Sequence, residues 1–292
     1  LSGIYLKLLA TALFWGGTFV AGRDLAQHMG PFCASFLRFA AASVLLLALV
    51  YRYEGGLPRL GRGQWLLVGL LGATGVFAYN AFFFMGLKIV PAGRAAVVVA
   101  LNPVFIALGG ALFFQERLRG LRLAGVLLSV AGAVTTITHG APWTLLSQGV
   151  GWGDLLILGC VGSWASYTLL GRSSMRALSP HAAVTYSCLA GVAMLLPPAL
   201  AEGLPAQFLS YPAVAWLDVV YLGACGTVLG FTWYYEGVKA LGPGRASVFI
   251  NFVPLFAILS GWLLLGESVH PSLLLGAGMV CCGAYLTNAV KS

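Results

Sequence analysis

Charge is what this sequence has least of. Only 8% of its 292 residues are Asp, Glu, Lys or Arg, against 60% hydrophobic residues. A globular surface in water carries about 25% charged residues, so nearly all of this chain must face lipid or itself. Signatures of metal binding and catalysis are missing too. Cys33, Cys160, Cys188, Cys225, Cys281 and Cys282 lie in apolar stretches without ligand spacing and are expected to be buried small side chains. His28, His139, His181 and His270 fall at or near loops. No GxxxxGK[ST] loop, HExxH helix or hydrolytic triad occurs. These absences exclude an ATPase and a zinc hydrolase, and leave a non-enzyme expected to use no metal and no cofactor. The net charge of +8 gives no reason to expect a nucleic-acid partner, because the bases sit in short connectors between apolar runs.

Apolar segments long enough to span a bilayer, about 20 residues each, are expected at 4–22, 32–51, 65–87, 92–114, 119–138, 153–171, 180–200, 213–236, 244–265 and 271–290. The expected fold is therefore an all-α integral membrane protein of ten transmembrane helices. Short connectors with turn residues, such as Gly30-Pro31, Ser179-Pro180 and His270-Pro271, leave no room for a soluble domain. Lys7 lies in the first segment, and no convincing cleavage site precedes the second, so that segment is expected to be a retained helix.

Lys and Arg in short loops stay on the cytoplasmic side. With the N-terminus inside, Lys7, Arg52, Arg59, Arg62, Arg117, Arg119, Arg122, Arg172, Arg176, Lys239, Arg245 and Lys291 are cytoplasmic. Only Arg23, Lys88 and Arg94 fall outside. The bias predicts an N-in, C-in topology.

The two halves, 1–140 and 150–292, repeat each other. Gly86, Lys88, Gly93, Arg94 and Ala95 return as Gly237, Lys239, Gly244, Arg245 and Ala246, an offset of 151 that also pairs Pro103 with Pro254, Glu116 with Glu267, Gly125 with Gly276 and Gly132 with Gly283. An offset of 149 pairs Trp15 with Trp164, Arg23 with Arg172 and Pro31 with Pro180. So many coincidences mark an internal repeat. Five spans per repeat force corresponding helices to cross in opposite directions, and inverted repeats are the usual construction of secondary transporters.

Polar and aromatic residues at mid-span mark a pathway, since lipid penalises the polar ones and the interfacial belt does not place Trp there. The first and sixth spans offer Trp15, Thr18, Ser163, Trp164, Tyr167 and Thr168. The third and eighth offer Tyr79, Asn80, Phe83, Thr227, Trp233 and Tyr234. The fourth and ninth offer Asn102 beside Pro103, and Asn251 with Pro254; each proline removes an intrahelical bond and can free a carbonyl. Any one aromatic on a membrane helix is more often packing, but Trp15 and Trp164 are repeat equivalents that symmetry brings toward a common axis. Such a cavity suits a small planar solute. Among the charges Arg38 stands out, because a buried guanidinium needs a partner, either Asp24 or a substrate carboxylate. No carboxylate is convincingly central. Gly125 and Gly276 belong to faces of small residues that pack helices, and Glu116 and Glu267 are expected to favour the N-termini of the helices they precede.

Together these residues resemble a known family. Ten spans in two five-helix repeats, Pro103 and Pro254 each followed 13 residues later by Glu116 and Glu267, and the opening Leu13 to Val20 (LFWGGTFV) look like the EamA-type branch of the drug/metabolite transporter superfamily. The sequence is most similar there to bacterial inner-membrane exporters of aromatic amino acids. The resemblance implies a monomeric multi-pass carrier in the lipid bilayer of the inner membrane. It implies a small-molecule substrate exported through a cavity among helices 1 to 4 and 6 to 9, with helices 5 and 10 outside. A broader drug or small-metabolite exporter is the alternative, and a membrane-embedded enzyme lacks its cluster of His, Asp or Glu.

Overall fold

The computed structural model describes residues 2–114, 120–143 and 150–289 and is all-helical, with no strand among the described residues. We number the long helices α1 (Ser2–His28), α2 (Pro31–Glu54), α3 (Arg62–Leu87), α4 (Ala92–Leu112), α5 (Leu121–Ile137), α6 (Trp152–Ser174), α7 (Pro180–Ala201), α8 (Ala213–Leu241), α9 (Pro243–Leu265) and α10 (Pro271–Ala289). Eight of them are long and apolar enough to cross a membrane; α5 and α10 contribute the shorter apolar stretches Leu123–Ile137 and Pro271–Thr287. Starts follow local chemistry: Pro31 and Pro180 occupy first-turn positions where a missing N–H is harmless, and the Ser179 hydroxyl accepts from the Ala182 N–H at 3.0 Å. Gly55 and Gly266 close α2 and α9 in the left-handed conformation, at φ 74° and 65°.

Helix ends differ from the hydropathy estimate. The first helix runs on from residue 22 to His28 because its last polar residues find partners: Arg23 donates to the carbonyls of Leu87 (2.7 Å) and Val90 (2.8 Å). Four helices are also irregular inside. A π segment interrupts α3 at Gly72–Ala78 and α8 at Leu222–Leu229. The fourth helix breaks at Ala100 and Leu101, just before Asn102 and Pro103, and α9 tightens to a 3₁₀ segment at Val248–Phe252, just before Pro254. Proline has no N–H to give to the preceding turn, so both breaks sit where that bond is missing.

The packing exchanges halves. Helix α1 lies against α8 and α9, while α6 lies against α3 and α4; α2 packs on α7, and α5 on α10. The last pair touches backbone to backbone. A Cβ at Gly125 would come within 2.5 Å of the Gly283 carbonyl, and one at Gly132 within 2.7 Å of the Gly276 carbonyl. Between them the Ser129 hydroxyl donates to the Val280 carbonyl at 3.2 Å.

Two expectations change. Cys282 is exposed, and Cys225 and Cys281 are half-buried; only Cys33, Cys160 and Cys188 are interior. Glu267 serves α4 and not the helix that follows it, taking the N–H groups of Ala92 (2.8 Å) and Gly93 (3.2 Å) and facing the Arg23 guanidinium at 3.2 Å. The loop carries it back over the α4 terminus, where unpaired N–H groups favour an anion. Glu116 lies outside the described residues.

Candidate functional site

A small cavity of about 30 Å³ lies where seven helices converge, lined by Trp15, Thr18 and Phe19 of α1, Arg38 of α2, Tyr79 and Phe83 of α3, Val99 and Asn102 of α4, Trp164 of α6, Phe231 of α8, and Ile250 and Val253 of α9. Among the described residues none of α5, α7 or α10 lines it, so the seventh helix, expected in the wall, stands behind it. Its walls are rings in edge contact. Trp15 meets Trp164 with centroids 5.2 Å apart at 86°, and Phe231 meets Trp164 at 5.0 Å and 73°. Tyr79 sits 5.5 Å from Trp164 and stacks on Phe83 at 5.8 Å. Edge-to-face geometry places ring hydrogens against a negative ring face, which holds aromatic walls in defined orientations.

The π segment of α8 fixes several of these groups. A π turn shifts backbone bonds from i+4 to i+5, and here side chains bond its carbonyls as well. The Trp15 indole N–H donates to the Gly226 carbonyl at 2.9 Å, and the Thr227 hydroxyl donates to the Leu222 carbonyl at 3.0 Å. Gly230 permits that approach, since a Cβ there would run into the Trp15 Nε1, and a Cβ at Gly226 would meet the Thr18 methyl at 2.6 Å. In α3 the Asn80 amide similarly donates to the Val76 carbonyl at 2.8 Å. Arg38 then joins the two helices, its Nε donating to the Thr227 hydroxyl at 3.1 Å and its Nη1 to Asn80 Oδ1 at 3.0 Å. Asp24 is not its partner. The Asp24 carboxyl faces Asp218 and His28 near the end of α1.

The candidates named from sequence divide into layers. Trp15, Thr18, Arg38, Tyr79, Phe83, Asn102 and Trp164 line the cavity, and Asn80 stands directly behind Arg38. Tyr167 and Tyr234 form a buried second layer: Tyr167 stacks on Tyr235 at 4.9 Å and bonds Ser187, while the Tyr234 and Thr168 hydroxyls are 3.2 Å apart. Ser163 is half-buried outside the lining. Trp233 turns away to stack on Phe14 at 6.0 Å. Asn251 opens instead onto an apolar groove of about 810 Å³ between α9 and α10. Phe19, Val99, Phe231, Ile250 and Val253 were not anticipated; Phe231 was accessible through the 151-residue offset, which makes it the equivalent of Asn80.

Ion pairs occupy both ends of the bundle. Around one end lie Arg23 with Glu267 and Arg94 with Asp154, the latter through Nε at 3.0 Å and Nη2 at 2.5 Å. Around the other lies Lys7 with Glu236 at 2.5 Å, and the His181 ring stands 3.2 Å from the Glu54 carboxylate beside it. Among the described residues no group of three or more His, Cys, Asp or Glu is arranged to hold a metal.

Comparison with known proteins bears on this arrangement. The model of the EamA-like transporter family matches twice, over residues 2–138 and 151–289. An uncharacterized transporter of Archaeoglobus fulgidus is 31% identical over 290 residues, covering 99% of this chain and 98% of its own. A probable terminal-alkyne amino-acid exporter of Streptantibioticus cattleyicolor is 29% identical over 297 residues, with 99% and 94% coverage. One solved crystal structure superposes with a TM-score of 0.68 over 98% of both chains at 22% identity, which concerns the fold alone. With apolar helices throughout and the family model matching each half in turn, this chain belongs to the EamA-like transporter family of multi-pass membrane proteins.

Proposed function

We propose that the protein exports aromatic amino acids or similar small planar metabolites across the bacterial inner membrane by alternating access. The observation that carries this reading is the ring-walled cavity at the convergence of seven helices, with Thr18, Arg38, Asn102, the Tyr79 hydroxyl and the Trp164 N–H to meet polar groups. Ten spans, N-in and C-in, arranged as two inverted repeats, would give two near-equivalent conformations, one open to each side. Ion pairs at both ends of the bundle suit two gates. At about 30 Å³ the cavity is the share of a single water, so admitting an aromatic ring requires the wall rings to part. The working unit in this reading is a monomer in lipid.

A second reading, a broader exporter of small amino acids, is favoured by one observation: a relative is described as an exporter of a terminal-alkyne amino acid, whose side chain is not aromatic. Counterflow of labelled phenylalanine, tryptophan, threonine and a purine in proteoliposomes, with and without a pH gradient, separates the two. Flux confined to the aromatic substrates and abolished in Trp164→Ala supports the first reading. Equal flux of threonine transfers the assignment to the second, and no amino-acid flux from verified folded protein removes both.

A further inference from the structure

Arg38 is 3% exposed, and both side chains bonded to it, Thr227 and Asn80, are neutral. Among the described residues no carboxylate pairs with it. Thr227 and Asn80 are themselves tied to π-segment carbonyls, so they orient the guanidinium without neutralising it. A buried charge left in that condition is costly unless an opposite charge reaches it. Two of its five N–H donors are engaged, and the planar fork is the geometry that receives a carboxylate.

The same cavity holds two more buried polar groups, of opposite character. The Trp164 indole N–H, on a residue 3% exposed, makes no well-formed bond and faces the Tyr234 hydroxyl, whereas Asn102 Oδ1, on a residue 1% exposed, lacks a donor. Both residues line the cavity with Arg38. Buried polar atoms are nearly always paired, so an orphan acceptor beside a cation that meets only neutral groups and the Phe39 ring describes a complementary ligand: an anionic end, a donor end and an apolar body.

We infer that Arg38 receives the carboxylate of a zwitterionic amino acid, with the Trp164 N–H assisting and Asn102 Oδ1 accepting from the substrate ammonium. This rests on the exporter reading and narrows it. The carboxylate becomes the obligatory feature of the substrate, and neutral or purely cationic planar solutes are rejected because they leave the guanidinium unpaired.

The test uses the full-length chain, purified and reconstituted, with four probes: phenylalanine, phenylalaninamide, leucine and leucinamide. A charge-assisted hydrogen bond lost from a desolvated site corresponds to about 10- to 100-fold in affinity. The expected result is an acid-over-amide preference of that order in both side-chain series. Arg38→Gln erases the preference by weakening the acids far more than the amides, and Arg38→Lys, which keeps the charge but not the planar fork, retains only part of it. An acid-to-amide ratio near one in the wild type overturns the inference, and so does silence of all four probes. Equal loss of acids and amides in Arg38→Gln also overturns it, since that is the mark of a tie between helices only. If Arg38→Gln does not fold, the wild-type ratio decides alone. A persistent acid preference with leucine matching phenylalanine would refute the aromatic reading and leave the carboxylate subsite standing.

Discussion

Two glycines on one face-divided helix should respond oppositely to the same substitution. Gly283 of α10 lies against α5, where an added Cβ would approach the Gly125 carbonyl and the Ser129 N–H, each at 2.5 Å. Ordinary contact begins at 3.4 Å, so the shortfall is 3.4 − 2.5 = 0.9 Å, and it is met by backbone, which has no rotamer to change. Helices α5 and α10 must therefore separate by about that distance. The Ser129–Val280 bond, 3.2 Å long, would then stretch past the limit of a hydrogen bond. Overpacking of this kind costs about 1–3 kcal/mol, to which the lost interhelical bond adds about 0.6 kcal/mol. Gly278, five residues earlier on the same helix, is exposed and has nothing within 4 Å of a Cβ. Alanine there meets no clash and gains about 0.8–1.0 kcal/mol of helix propensity. We therefore expect Gly283→Ala to lower, and Gly278→Ala to raise, the unfolding midpoint in a denaturing-detergent titration of the purified protein. Equal midpoints for Gly283→Ala and wild type would refute the backbone-contact argument. A loss in Gly278→Ala matching that of Gly283→Ala would show that α10 is sensitive throughout, and not only along its seam with α5.

Other sites give distinct expectations. Asp154 is 4% exposed and held by two Arg94 bonds, so Arg94→Ala strands a buried charge and should cost about 3–5 kcal/mol; Asp154→Asn in the same background should recover much of it in the same titration. Lys7, 41% exposed, pairs with Glu236 at the surface, and Lys7→Ala should change stability by less than about 1 kcal/mol, an effect that added salt reduces further. Glu267→Gln keeps an acceptor for the α4 N–H groups but not the charge facing Arg23, and is expected to cost about 1 kcal/mol, against more for Glu267→Ala, as read from the two unfolding midpoints. Phe231→Ala should enlarge the cavity and shift counterflow competition toward bulkier solutes; unchanged selectivity in folded protein would remove Phe231 from the wall.

How far the sequence reached depended on the kind of signal. Long apolar segments and the turn residues between them located the helices, because bilayer thickness imposes a length. The offset repeat singled out Trp15 and Trp164 together, and they do meet ring to ring. Arg38 stood out because charge is so scarce. Asn80 and Thr227 were named as pathway residues but not as its partners, since they reach it only beside the π segments of α3 and α8. Neither Gly72–Ala78 nor Leu222–Leu229 contains a proline or another residue that distinguishes a π turn from an α turn. Rotation was the weakest inference: α9 is apolar on every side, so nothing in the pattern told Asn251, on the outer groove, from Ile250, on the cavity. Glu267 was assigned to its neighbour in sequence, whereas its partner is 175 residues away.

The aromatic closure of the cavity has an electrical consequence. A void with room for about one water interrupts any file of solvent along the bundle axis, so in this conformation the chain is an insulator. Vesicles charged with a potassium diffusion potential should hold it as long with the protein as without. Rapid discharge would mean that ions have a route the rings do not block.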